Sequence, residues 1–315
     1  MQIKPRISVI GCGFIGQSLV RALLLKGYEI NVLDRNACPF EFQGKLKWVS
    51  GSFNNNETLQ AALEGADIAY HLVASTVPGD SDVDIATELT ENVIGALNFI
   101  HICLSKRIKR IIFSSSASVY GVQDVLPITE DQLTNPISAH GIHKLMIEKY
   151  LLLAAHKNDI EVRILRIANP YGPGQNIYGR QGFIAMAIGN LVRGLPILLR
   201  DDGMVIRDFI YIDDLADVLT LCGTLDNVPS VINVGSQMGF SLKEVVEMMS
   251  KLLQIKVETH STQSRDVDIP SSILNIDLLR ESIPFSPRVS LEAGLSKTLE
   301  HHGFNISVSN TIGKK

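Results

Sequence analysis

Through the first half of the chain, short continuously apolar runs alternate with longer segments whose apolar residues recur at helical spacing. Residues 6–10, 30–33, 46–49, 68–73, 110–115 and 162–167 predict strands. Residues 16–26, 57–64, 88–106 and about 139–157 predict the helices between them. In the first helix Leu19, Ala22, Leu23 and Lys26 share one face, and Gly27 stops it. Strands that lack hydrophobic–polar alternation, each followed by a helix, imply a parallel sheet covered on both faces.

After Asn169 the pattern loosens, and Pro170, Gly172, Pro173 and Gly174 mark a loop. Helices are predicted near 183–193, 213–225 and 241–253, with strand-like pieces at 209–212 and 231–234. The expected organisation is an α/β domain over 1–168, joined by parts of 205–235, a smaller discontinuous lobe over 169–304, and a polar tail over 305–315.

Composition narrows the classes. The chain has 315 residues, 45% hydrophobic and 20% charged, which excludes a mostly disordered protein. A net charge of −4 argues against a nucleic-acid binder. No apolar run approaches the roughly 20 residues that span a bilayer. The N-terminal residues run at once into glycines instead of a cleavable leader, so a cytoplasmic protein is expected. Cys12, Cys38, Cys103 and Cys222 are scattered without ligand spacing, so reduced thiols and no metal site are expected.

The first chemical signal is Gly11-Cys12-Gly13-Phe14-Ile15-Gly16, a G-x-G-x-x-G run between a predicted strand and a predicted helix. Such glycines let a pyrophosphate approach the backbone at a helix N-terminus, where N–H groups and the helix dipole favour anions. Asp34 ends the next strand and suits the ribose hydroxyls of NAD, while its charge opposes a 2′-phosphate. Arg35, next in sequence, softens that preference. The context predicts a Rossmann-type, doubly wound fold with a mixed α/β C-terminal lobe for substrate.

Further motifs carry a family resemblance. Residues 113–121, Phe-Ser-Ser-Ser-Ala-Ser-Val-Tyr-Gly, resemble the active-site strand end of extended short-chain dehydrogenases, in particular sugar-nucleotide 4-epimerases. Leu165 to Gly174, Arg207 to Ala216, Asn233 to Ser236 and Leu291 to Leu295 match further segments in the same order. The resemblance runs from about residue 6 to 301. It implies NAD held by Gly11, Gly13, Phe14, Ile15, Gly16, Asp34, Arg35, Leu72, Ala74, Asn92, Ser114, Lys144, Asn169 and Pro170. It also implies a UDP-sugar substrate and a homodimer through the helices at 88–106 and 139–157, although Leu151, Leu152 and Leu153 serve internal packing equally well.

The chain departs from the family pattern at three places. The family's usual first glycine is Ile10 here, which shifts the phosphate turn. Ser52-Phe53 replaces an Asp–apolar pair near the adenine, which weakens adenine recognition. Above all, the family's Tyr, four residues before Lys144, is His140. By resemblance Ser116 bonds the reacting oxygen with help from Ser118, Lys144 holds the nicotinamide ribose, and the Tyr position carries the proton. His140 and Lys144 share a helix face, and a neutral imidazole kept so by nearby positive charge is a competent proton acceptor. Three alternatives stay open: a histidine-based epimerase, a binding relative with little turnover, and an inactivating substitution. His143 is expected to be a solvated surface residue.

By the same resemblance Asn169, Arg207 and Arg265 bind the nucleotide diphosphate, with Asp268 at the uridine ribose. Ser272 stands where a bulky Tyr restricts some relatives to plain hexoses, which implies room for a 2-acetamido group. The expected substrates are UDP-Glc/UDP-Gal and UDP-GlcNAc/UDP-GalNAc. The acid–base pair a 4,6-dehydratase needs is replaced by Ala117 and Ser118. A decarboxylase and a non-catalytic binding protein are the remaining rivals.

Overall fold

The computed structural model describes residues 4–74, 85–263 and 269–306. Strands β1 (Ile7–Ile10), β2 (Ile30–Asp34), β3 (Lys47–Ser50), β4 (Ile68–His71), β5 (Arg110–Ser116) and β6 (Glu161–Ile167) form one sheet. With β10 (Val231–Val234) they run in the order β10-β6-β5-β4-β1-β2-β3, every neighbour pair parallel. Ile7, Val9 and Ile10 are fully buried, as the absence of polar alternation requires. The doubly wound Rossmann-type expectation holds, and the strand order reverses between β1 and β4, where such sheets open a crevice at their carboxyl ends.

The helices α1 (Phe14–Leu25), α2 (Asn56–Ala62), α4 (Gly95–Ser105) and α5 (Ala139–Lys157) connect these strands. The predicted helix at 88–106 differs in detail. It consists of α3 (Ile85–Glu88), a π-helical stretch at Leu89–Ile94, and α4. The π turn inserts a residue relative to the α register and re-aims the side chains before it.

After β6 follow β7 (Asn169–Tyr171), α6 (Phe183–Val192), β8 (Ile197–Arg200), β9 (Ile206–Tyr211) and α7 (Ile212–Thr224). Beyond β10 come β11 (Gly239–Ser241), α8 (Leu242–Leu253), β12 (Thr259–Thr262), β13 (Ser271–Ser272), α9 (Asp277–Ser282) and α10 (Leu291–His301). β9 is the hub of a small mixed sheet, antiparallel to β11 and parallel to β7 and β13. Asp208 on β9 is fully buried and accepts from Ser236 N and Oγ (2.8 and 2.7 Å), Gln237 N (3.2 Å) and Leu274 N (3.3 Å). Those bonds satisfy a carboxyl whose pKa burial pushes up, and they tie the loop after β10 to the small sheet.

Two buried apolar clusters hold the main sheet between its helix layers, one through Ile7, Val9, Leu19 and Leu23, the other through Ile10, Phe99, Phe113 and Leu151. No described helix is long and apolar enough to cross a membrane.

Candidate active site

The carboxyl ends of β1, β4, β5 and β6 meet in a cleft of about 390 Å³. On its β1 side lies the glycine turn. Gly11 has φ +96°, and a Cβ there would press on Leu72 and Val73. A Cβ on Gly16 would stand 2.2 Å from the Gly11 carbonyl oxygen, so the helix packs directly onto the turn. Gly13 has nothing among the described residues within 4 Å of a notional Cβ and lines the cleft. It also caps α1, where no side chain bonds the first turn and no acidic residue stands. This is a cradle for an anion of pyrophosphate type, and the residues fit the NAD that the motif implies. The Ile10 departure leaves the turn intact, because the left-handed residue is Gly11 while Ile10 stays in β1 as core.

Asp34 closes the other side of the turn. Its Oδ2 accepts from Cys12 N at 2.7 Å and its Oδ1 from Asn36 N at 2.8 Å. Asn36 Nδ2 also donates to Oδ1 at 3.0 Å, so of about four acceptor positions one remains for a ribose hydroxyl. Arg35 is exposed on the loop after β2. Phe53 turns inward instead of toward a ligand: it is buried, with its ring 4.8 Å from the His71 ring.

Phe14, Ile15, Gly16, Leu72, Ala74 and Pro170 line the cleft, as do Ser114, Ser116, His140 and Lys144. Ser116 ends β5, where its Oγ accepts from Ser118 N (3.2 Å) and Ser118 Oγ (2.9 Å). With both acceptances supplied from one side, the Ser116 proton is left to donate outward. Lys144 is buried on α5, donates from Nζ to Ser114 O at 2.7 Å, and lies 4.7 Å from the centroid of the Phe113 ring. Burial pushes its pKa down to about 8, against the opposing pull of Glu148. His140 is buried one turn earlier. Its pKa falls to about 3 through burial first, then the charge of Lys144 and the presence of His143, so its imidazole is neutral at pH 7.

Under the β5 serines lies a buried ion pair. Arg166 Nη2 meets Glu148 Oε2 at 2.8 Å, the Ser115 hydroxyl donates to Glu148, and Arg166 Nη1 donates to the Tyr120 hydroxyl at 3.0 Å. Tyr120 donates in turn to Asn233 Oδ1 at 2.7 Å. This network joins β5, β6, β10 and α5, and it fixes the backbone from which Ser114 and Ser116 project.

Other expected residues stand outside the cleft lining. Asn92 lies in the π turn, donates to Glu88 O at 3.1 Å, and lines a narrower neighbouring cavity. Asn169 donates from Nδ2 to Asp208 O at 2.8 Å. Arg207 donates from Nη1 to Ile206 O and Ile269 O (2.8 and 2.7 Å). Ser272 is buried on β13 opposite Arg207 on β9. Arg265 and Asp268 fall outside the described residues.

One expectation is overturned. His143 is only 5% exposed, with Nδ1 3.7 Å from Glu88 Oε2. It is interior because α5 packs against the π turn and α4, not against solvent, along this edge. Gln175, Asn176, Arg180 and Gln181 also line the cleft and were absent from the sequence-based site. Their signal was a polar run between the Gly-Pro loop and the next apolar helix.

Comparisons with known proteins place the fold in a family. Residues 7–235 match the model of the NAD dependent epimerase/dehydratase family. A UDP-glucose 4-epimerase of Mycolicibacterium smegmatis is 27% identical over 91% of this chain and 95% of its own length. The crystal structure of UDP-glucose 4-epimerase from Thermotoga maritima with UDP-glucose superposes with TM-score 0.88 at 28% identity, covering 94% of this chain and 98% of that one. A UDP-glucuronic acid decarboxylase of Arabidopsis thaliana is 28% identical over 97% of this chain and 92% of its own length. By its fold, its glycine turn and the extent of these matches, the chain belongs to the NAD dependent epimerase/dehydratase family.

Proposed function

We propose that the protein is an NAD-dependent nucleotide-sugar 4-epimerase that interconverts UDP-Glc with UDP-Gal and UDP-GlcNAc with UDP-GalNAc through a transient 4-keto sugar. The observation that carries this reading is the meeting of Ser116, His140 and Lys144 in one cleft with the glycine turn. NAD, when bound, supplies the hydride acceptor and donor at C4. Gly11, Gly13, Gly16 and Asp34 hold the dinucleotide, and Lys144 holds its nicotinamide ribose. Ser116 donates to the sugar O4, and His140 takes the O4 proton and gives it back. The segment 1–168 with parts of 205–235 carries the dinucleotide, and 169–304 carries the sugar nucleotide through Asn169, Arg207, Arg265 and Asp268.

Ser272 is small where some relatives carry a bulky Tyr, and that resemblance supports acceptance of a 2-acetamido group. Ala117 and Ser118 supply no acid–base pair for dehydration, which favours epimerisation over that rival. Ile142 and Leu153 on α5 and Ile94 beside α4 are exposed apolar residues, which supports a homodimer through these helices. Incubating the purified protein with each of the four UDP-sugars and resolving the products by chromatography tests the reading. Equilibration within both pairs is expected.

A second reading is favoured by one observation. A base whose protonated form is disfavoured as strongly as that of His140 is a weak proton acceptor. On that reading the protein binds NAD and UDP-sugars without turnover, and only the His140→Tyr form equilibrates them.

A further inference from the structure

We propose that Glu88 and His143 form a buried proton-holding pair that serves His140; this rests on the epimerase reading above. His140 and His143 lie three residues apart on α5 and so share a face. Both line the narrow cavity beside the cleft, together with His71 and Lys144. His140 and Lys144 line the cleft as well, so the wall between the two spaces is made of the groups the reaction uses. On the far side Glu88, at the end of α3, brings Oε2 to 3.7 Å from His143 Nδ1, with both side chains buried. From β4, His71 faces the same cavity, and neither of its ring nitrogens has a hydrogen-bond partner among the described residues. Of these groups, His71, His140, His143, Lys144 and Glu88, only Glu88 can carry negative charge.

That placement answers a difficulty in the reaction. His140 is a poor resting place for a proton, because burial and Lys144 both oppose the imidazolium. A carboxylate is the reverse, since it becomes neutral when it accepts a proton and so adds no positive charge beside Lys144. In the forward half, the sugar O4–H bond breaks and an N–H bond forms on His140, while the C4 hydride leaves with its electron pair to NAD. His140 then passes a proton through a water in the cavity that both histidines line to His143, which releases its Nδ1 proton to Glu88 Oε2 as the 3.7 Å separation closes to hydrogen-bond distance, leaving a neutral carboxylic acid. In the return half the same transfers run backwards and restore the carboxylate. Neither proton nor electron is gained or lost over the cycle. Glu88 and His143 act through His140 and are positioning residues, not catalytic ones.

The test uses the full chain, with two measurements. In the first, kcat and KM for UDP-sugar epimerisation are compared for the parent, Glu88→Gln, Glu88→Asp and His143→Phe. A loss of roughly tenfold or more in kcat for Glu88→Gln and His143→Phe is expected, with KM within about twofold and partial recovery in Glu88→Asp. In the second, nitrogen NMR of the histidine rings is recorded without substrate. The pair requires His143 to carry its proton on Nδ1, toward Glu88, and Glu88→Gln to shift that resonance. An active parent with unchanged kcat in Glu88→Gln overturns the proposal and leaves the epimerase reading standing. If the parent does not turn over, the epimerase reading falls and the NMR decides the pair: Nδ1–H sustains it, and a proton on Nε2 with bare Nδ1 overturns it.

Discussion

The carboxylate of Asp34 accepts the backbone N–H of Cys12 at 2.7 Å, so the acid that ends the second strand also braces the phosphate turn after the first. On the proposed reading, one side chain thereby couples the choice of cofactor to the shape of the site that holds it. Asp34→Ala removes both the brace and the ribose acceptor. Hydrogen bonds to charged groups contribute about 1.5–3 kcal/mol, so NAD affinity falls roughly 10–100-fold. Calorimetric titration with NAD and NADP checks this. NADP is expected to lose less, because the charge opposing its 2′-phosphate is gone.

Two glycines of the same turn separate packing from binding. Gly16→Ala places a methyl 2.2 Å from a backbone oxygen that has no flexible end to yield, so both the melting temperature and NAD binding are expected to drop. A Gly13→Ala methyl has nothing within 4 Å among the described residues, and the position lines the cleft. It is expected to leave the melting temperature unchanged and to weaken NAD binding alone.

The pair Arg166–Glu148 is a structural liability if broken. Both side chains are buried, and each also bonds a β5 or near-β5 hydroxyl. Glu148→Ala strands the guanidinium and is expected to cost about 3–5 kcal/mol in urea unfolding. Glu148→Gln keeps the shape and part of the bonding, and is expected to lose less.

Acid is expected to destabilise the fold through its buried histidines. His71 and His140 have folded pKa values lowered to about 3, in both cases by burial first and Lys144 second. An unfolded chain protonates the same residues near pH 6.5. Below that pH the unfolded state binds more protons, so this stability is complete above about 6.5 and is lost as pH falls toward 3. Each histidine contributes a slope of up to about 1.4 kcal/mol per pH unit in that window. Urea unfolding of the parent and of His71→Phe between pH 7 and pH 5 measures it. The variant is expected to show the shallower decline.

The strands of the main sheet were legible because buried parallel strands leave an unmistakable signature, runs such as Ile7–Ile10 with no polar alternation. The phosphate turn was legible for a similar reason, since its glycines are demanded by backbone geometry. The π stretch at Leu89–Ile94 was not, because one inserted residue leaves the apolar pattern of a helix intact while rotating its faces. Nor was the setting of His143. The inner face of α5 is built from His140, His143, Lys144 and Glu148 beside Ile147 and Leu151, so polarity pointed outward where packing points inward. α9 and α10 escaped because short amphipathic segments beside prolines and serines resemble loop sequence. Arg180 and Gln181 joined the cleft through a tertiary approach; the polar run that holds them marks a loop but not which cleft it reaches.

The central claim is that the imidazole of His140 carries the proton where the family carries it on a phenol. The most direct measurement is the initial rate of UDP-Glc to UDP-Gal conversion in the parent and in His140→Phe, with NAD binding measured alongside. The account predicts an active parent, and a variant that binds NAD normally but loses at least about 100-fold in kcat. Equal rates in the two proteins, or an inactive parent that gains activity in His140→Tyr, contradict it.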